Sequence, residues 1–69
     1  MDLSILKNFG HVLMRKEFFV IDNVGLADII IYYKNMTSFE IMKNGDLCIR
    51  LLKDKLTLFD GGGYRIENI

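Results

Sequence analysis

Residues 37–69, TSFEIMKNGDLCIRLLKDKLTLFDGGGYRIENI, decide how this chain is read, because apolar and polar positions alternate there between three turn signals. The signals are Asn44-Gly45, Lys53-Asp54 and Asp60-Gly61-Gly62-Gly63. Alternation with a period of two places every second side chain on one face of a strand. Phe39 and Ile41 then share a face, as do Leu47, Ile49 and Leu51 in the following run.

Directly opposed residues of an antiparallel pair point to the same side, so loop length and burial constrain each other. A two-residue Asn44-Gly45 turn would oppose Ile41 to Cys48 and Phe39 to Arg50, splitting the apolar set. A three-residue loop, Lys43-Asn44-Gly45, opposes Ile41 to Leu47 and Phe39 to Ile49. It predicts a left-handed backbone at Gly45. A two-residue loop at Lys53-Asp54 would oppose Leu51 to Leu56 and Ile49 to Leu58. A three-residue loop at Asp60-Gly61-Gly62 opposes Leu58 to Tyr64, Leu56 to Ile66 and Lys55 to Glu67. The expected core face is Phe39, Ile41, Leu47, Ile49, Leu51, Leu56, Leu58, Tyr64 and Ile66. The opposite face carries Ser38, Glu40, Met42, Cys48, Arg50, Thr57, Phe59 and Arg65.

Towards the N-terminus the period changes. Leu3, Leu6, Phe9 and Leu13 recur at helical spacing, with Ile5 and Val12 beside them. Asp2 is placed to cap, and Arg15 and Lys16 close the pattern. The spacing predicts a helix over 3–15 with Gly10 inside it, where glycine admits a close approach of the sheet. Glu17 to Ile21 reads as a strand, and Asp22-Asn23-Val24-Gly25 as a turn. Leu26 to Tyr33 is apolar on both faces, which fits a covered strand or a buried helix segment. Its three isoleucines and two tyrosines favour the strand. The expected fold is α+β: one N-terminal helix packed on an antiparallel meander of five or six strands. These are Glu17–Ile21, Leu26–Tyr33, Thr37–Met42, Asp46–Leu52, Lys55–Phe59 and Gly63–Glu67.

Sixty-nine residues make a single domain, 1–69, whose one core supplies about 3–5 kcal/mol. Cys48 is the only cysteine and His11 the only histidine, so neither an internal disulfide nor a tetrahedral zinc site can be built from them. No metal or cofactor is expected. Hydrophobic residues make up 51% of the chain, more than one helix and one sheet face of this size bury. The surplus predicts a homodimer or a higher closed homo-oligomer. Nine basic and nine acidic residues cancel, and only Arg15-Lys16 are adjacent cations, so the basic surface of a nucleic-acid binder is missing. No apolar run approaches the ~20 residues of a spanning helix. Asp2, Lys7 and Asn8 interrupt the start where a signal peptide is apolar, and with the free thiol this predicts the cytoplasm. The absence of proline and the weight of Ile, Lys, Asn, Phe and Tyr suggest an AT-rich genome, as in low-GC bacteria and their phages.

The side chains that could carry chemistry lack companions. His11 has no nucleophile or orienting acid at hand in sequence. Cys48 alternates in mid-strand, away from a helix N-terminus or cationic setting. The three glycines after Asp60 precede no helix that could cradle a phosphate. Asp22, Asp28 and Asp46 lack metal-loop spacing. No enzyme is expected. The chain reads as a small interaction protein that self-associates and binds or inhibits a larger partner protein, of the kind phages and mobile elements direct at host systems. Its expected contact residues are Ile29, Ile31, Tyr32, Tyr33, Glu40, Met42, Arg50 and Phe59. The alternative is an RNA- or nucleotide-binding module at an oligomer interface, built from Tyr32, Tyr33, Arg50 and Arg65, with Phe18-Phe19 adding aromatic surface for stacking.

Overall fold

The computed structural model describes residues 2–22 and 28–69. The described residues form seven strands in two antiparallel sheets, with two short 3-10 helices and no longer helix. The first sheet is β1 (His11–Met14), β2 (Phe18–Asp22) and β3 (Asp28–Tyr32), with β2 in the centre. The second is β4 (Met36–Ile41), β5 (Leu47–Leu51), β6 (Asp54–Leu58) and β7 (Tyr64–Asn68), in sequence order. A 3-10 turn, Tyr33–Asn35, carries the chain from one sheet to the other.

One hydrophobic core lies between the sheets. Phe19, Ile21, Ile29 and Ile31 enter it from the first sheet, and Leu47, Ile49, Leu56 and Leu58 from the second. Leu6 is fully buried with them, while Leu3, Phe9, Val12, Tyr33, Met36, Phe39, Leu51 and Tyr64 close its margins.

The α+β expectation is thus overturned: a second sheet, not a helix, covers the meander. The helical stripe breaks at Gly10. Before it, Leu3, Leu6 and Phe9 are spaced by three, and the chain makes a single 3-10 helix, Ser4–Asn8, that presents them to the core. Asp2 Oδ1 accepts from the Ser4 amide at 2.9 Å. That hydrogen bond holds the Asp2 carboxyl below its ordinary range. After Gly10, His11–Met14 pairs along β2, with Val12 opposite Ile21 and Leu13 opposite Val20. Five residues cannot sustain an α-helix unaided, and pairing satisfies the backbone of 11–14 instead. Gly10 does serve a close approach, but to the main chain: a Cβ there would collide with the Asp22 carbonyl.

Five strand expectations agree with the structure to within about two residues, and β3 confirms the strand reading for residues 28–32. Asp22, expected to open a turn, ends β2 instead; the rest of that turn, 23–25, and the start of the Leu26–Tyr33 run lie outside the described residues. Both glycine-bearing hairpins adopt the expected register. Phe39 faces Ile49 and Ile41 faces Leu47; Leu58 faces Tyr64, Leu56 faces Ile66 and Lys55 faces Glu67. Gly45 and Gly62 sit at φ 94° and 103°. The two loops close alike: the Met42 amide donates to the Asp46 carbonyl at 2.8 Å, and the Phe59 amide to that of Gly63 at 3.0 Å.

The middle hairpin differs. Ile49 faces Leu56 and Leu47 faces Leu58, which shifts the expected pairing by two residues and moves the turn to Leu52-Lys53. An even shift leaves every side chain on its face, so the apolar pattern could not exclude it. The two-residue turn that forms does so without the positive φ of the commonest hairpin types, which no described non-glycine residue adopts. The core face also thins at the sheet edges. Ile41 on β4 and Ile66 on β7 remain 43% and 55% exposed despite pointing the expected way.

Asp46 ties the two glycine loops together. Its Oδ1 accepts from the Asp60 amide at 2.9 Å and its Oδ2 from Asn44 Nδ2 at 3.0 Å, while its own amide donates to Asn44 Oδ1. Asp46→Ala should cost about 1 kcal/mol and accelerate hydrogen exchange at the Asp60 amide. Unchanged exchange there would show that the clasp holds nothing.

Candidate functional surface

The outer face of the first sheet leaves a set of apolar side chains uncovered. Strand pairing arranges them in rows. Leu13, Val20 and Ile30 lie side by side across β1, β2 and β3, and Phe18 and Tyr32 form the next row. The buried strand residues alternate with these, so Phe19, Ile21, Ile29 and Ile31 go inward and this set goes outward. Leu13 is 43%, Ile30 57% and Tyr32 45% exposed. The Phe18 and Tyr32 rings meet at 5.4 Å between centroids, tilted by 51°. Such cross-strand aromatic pairs stiffen a sheet surface.

Charge brackets this band. At one end the row is His11, Asp22 and Asp28. At the other, the β1–β2 turn carries Arg15, Lys16 and Glu17, and Lys34 follows β3. Lys16, Glu17, Tyr32, Tyr33 and Lys34 line one depression of about 280 Å³. Tyr33 is fixed beside it: its hydroxyl donates to the Arg15 carbonyl at 2.9 Å, and its ring packs 5.9 Å from that of Phe19.

The expected contact residues divide into three groups. Ile29 and Ile31 are buried in the core and are not surface residues of the chain. Tyr32 lies on the outer face of the first sheet, with Tyr33 half-buried at its end. Glu40, Met42, Arg50 and Phe59 belong to the outer side of the second sheet. Glu40, Met42 and Arg50 are exposed there, and Phe59 is half-buried with the Arg65 guanidinium 5.9 Å from its ring centre. Arg65 also pairs with Glu67 at 3.2 Å. Because the sheets share their inner faces, Arg50 and Arg65 lie on the opposite side of the molecule from Tyr32. One chain therefore does not assemble the aromatic-and-arginine site of the alternative reading.

Leu13, Val20 and Ile30 were absent from the expected set. Leu13 was hidden by its assignment to a helix. Ile30 had a legible signal, since three consecutive isoleucines in a strand cannot all face one side.

His11 is exposed beside Asp22 in the register. Cys48 is buried next to Thr57, on the floor of a shallow depression that Met42, Asn44, Asp46, Lys55 and Arg65 surround. Among the described residues, no group of three or more His, Cys, Asp or Glu side chains is placed to hold a metal ion. No described helix is long and apolar enough to cross a membrane. No protein-family profile, curated protein or solved structure matches this chain.

Proposed function

We propose that this chain is a non-enzymatic interaction protein that works by binding, and thereby inhibiting, a larger partner protein. Its contact surface in this reading is the outer face of the first sheet. The observation that carries the reading is the continuous band Leu13–Val20–Ile30 with Phe18 and Tyr32, exposed or half-buried on a sheet whose other face supplies Phe19, Ile21, Ile29 and Ile31 to the core. Exposed apolar surface is costly to keep in water unless something covers it. A polar rim of opposite charge at each end fits the anatomy of a protein-binding patch better than a random leftover of apolar residues. The AT-rich composition and the free thiol agree with a cytoplasmic inhibitor encoded by a phage or mobile element.

Affinity capture from the native host tests this. A partner bound by the wild-type chain should be retained by His11→Ala and Cys48→Ala and lost with Ile30→Glu. Ile30 is exposed, so the substitution leaves the core intact while putting a charge within the contact. If His11→Ala in a folded protein removes the biological effect, the non-enzymatic reading is wrong.

A further inference from the structure

We propose that the outer face of the first sheet is covered by a second copy of the chain, stacked with its strands reversed. This inference rests on the reading that this face is a contact surface, and it places a second copy there in competition with the larger partner. The argument is the distribution of charge around the apolar band. One end carries Asp22 and Asp28, and residues 23–27 between them add no charged side chain. The other end carries Arg15, Lys16 and Lys34 against the single acid Glu17. The face is therefore about equally negative at one end and positive at the other, with neutral apolar residues between.

A surface of that kind is complementary to itself in one arrangement. In a closed dimer both subunits use the same patch, related by a two-fold axis. An axis along the strands would bring acidic end onto acidic end. An axis lying in the interface across the strands reverses them and brings each acidic end onto a basic one. Placed between the two apolar rows, it sets Val20 against Phe18 of the partner subunit and Ile30 against Tyr32 of the partner subunit. Asp28 then falls over the depression lined by Lys16, Glu17, Tyr32, Tyr33 and Lys34 of the partner subunit, where two lysines outweigh the one acid. Lysine ammonium groups and a tyrosine hydroxyl there are donors for its carboxylate.

The size of the face sets the strength. Three strands about 4.8 Å apart, each about five residues long at about 3.3 Å per residue, give a patch of roughly 14 by 17 Å. That is roughly 240 Å² of flat area per subunit, well below the ~800 Å² a standard specific interface buries on each partner, so a weak, transient dimer is expected, forming towards the upper end of the micromolar range. In a contact this small the end charges decide the orientation more than the affinity.

Sedimentation equilibrium between about 10 μM and about 1 mM tests the proposal over the range where such a contact forms. The wild-type chain should follow a monomer–dimer equilibrium. Ile30→Glu, counted twice by symmetry, should weaken it about 100-fold. Asp28→Lys and Lys34→Asp should each weaken it about tenfold, and the two combined in one chain should restore it to within about threefold. Circular dichroism should show all four variants folded. A chain that stays monomeric at about 1 mM, a dimer indifferent to Ile30→Glu, open-ended growth, or a double variant no better than the singles each overturns the proposal. A monomer that still captures a host partner through Ile30 overturns the dimer and leaves the functional reading standing. A reversed-charge dimer that captures no partner supports the dimer and removes that reading.

Discussion

Phe19→Ala should leave the chain largely unfolded at 25 °C, while Phe18→Ala, one residue away, should leave it folded. Phe19 is completely buried at the centre of the first sheet, paired with Ile31 on β3 and Met14 on β1, with its ring tilted against that of Tyr33. Removing a buried phenylalanine ring typically costs about 3–5 kcal/mol through lost transfer energy and the cavity left behind. A domain of this length has only about 3–10 kcal/mol in total. Phe18 faces outward and is half-buried against Tyr32, so its loss should cost about 1 kcal/mol. Urea unfolding followed by circular dichroism and tyrosine fluorescence measures both, since the chain has no tryptophan. The comparison tests which face of β2 is inside. If Phe18→Ala proves the more damaging, the two-sheet core is inverted.

That two-sheet core was only partly visible in the sequence, and the reasons differ from place to place. The hairpins closed by Gly45 and Gly62 could be read to the residue. In each, an odd change of loop length would have thrown the buried set onto the solvent face, and a glycine stood where positive φ was needed. The Leu52-Lys53 hairpin obeys the same parity but has no glycine to fix its position. A shift of two residues conserves the faces. The edges were a different matter. Ile41 and Ile66 obey the alternation, yet stay exposed because the opposing sheet has only three strands against four. Alternation reports direction, not cover.

The candidate surface was obscured by the same ambiguity that obscured the fold. Its central row takes one residue from each of three strands, and one of those strands looked like the end of a helix. With Leu13 counted as core, Ile30 and Tyr32 appeared as scattered surplus rather than as parts of a band. Interaction surfaces of this kind are assembled from residues distant in sequence, and only pairing brings them together.

Gly10→Ala separates the sheet reading of the N-terminal segment from the helical one by the sign of its effect. Inside a helix over residues 3–15, replacing glycine by alanine would stabilise the chain by about 1 kcal/mol. In the structure Gly10 stands at the entry to β1, just before His11 meets Asp22. An added Cβ would collide with the Asp22 carbonyl and crowd the Ile21 side chain at 3.1 Å. The obstacle is main chain, so relief requires β1 and β2 to move apart at the start of their ladder. Such overpacking costs about 1–3 kcal/mol, and the lost ground falls where the first sheet is held to the core through Val12 and Ile21. Gly61→Ala provides the control. Nothing lies within 4 Å of a Cβ there, and its φ is not positive, so it should be neutral or stabilise by a few tenths of a kcal/mol to about 1 kcal/mol through the unfolded chain. Denaturant midpoints of the two variants against wild type give the answer directly. A Gly10→Ala chain more stable than wild type would restore the helix and dismantle β1, and with it the row on which the candidate surface depends.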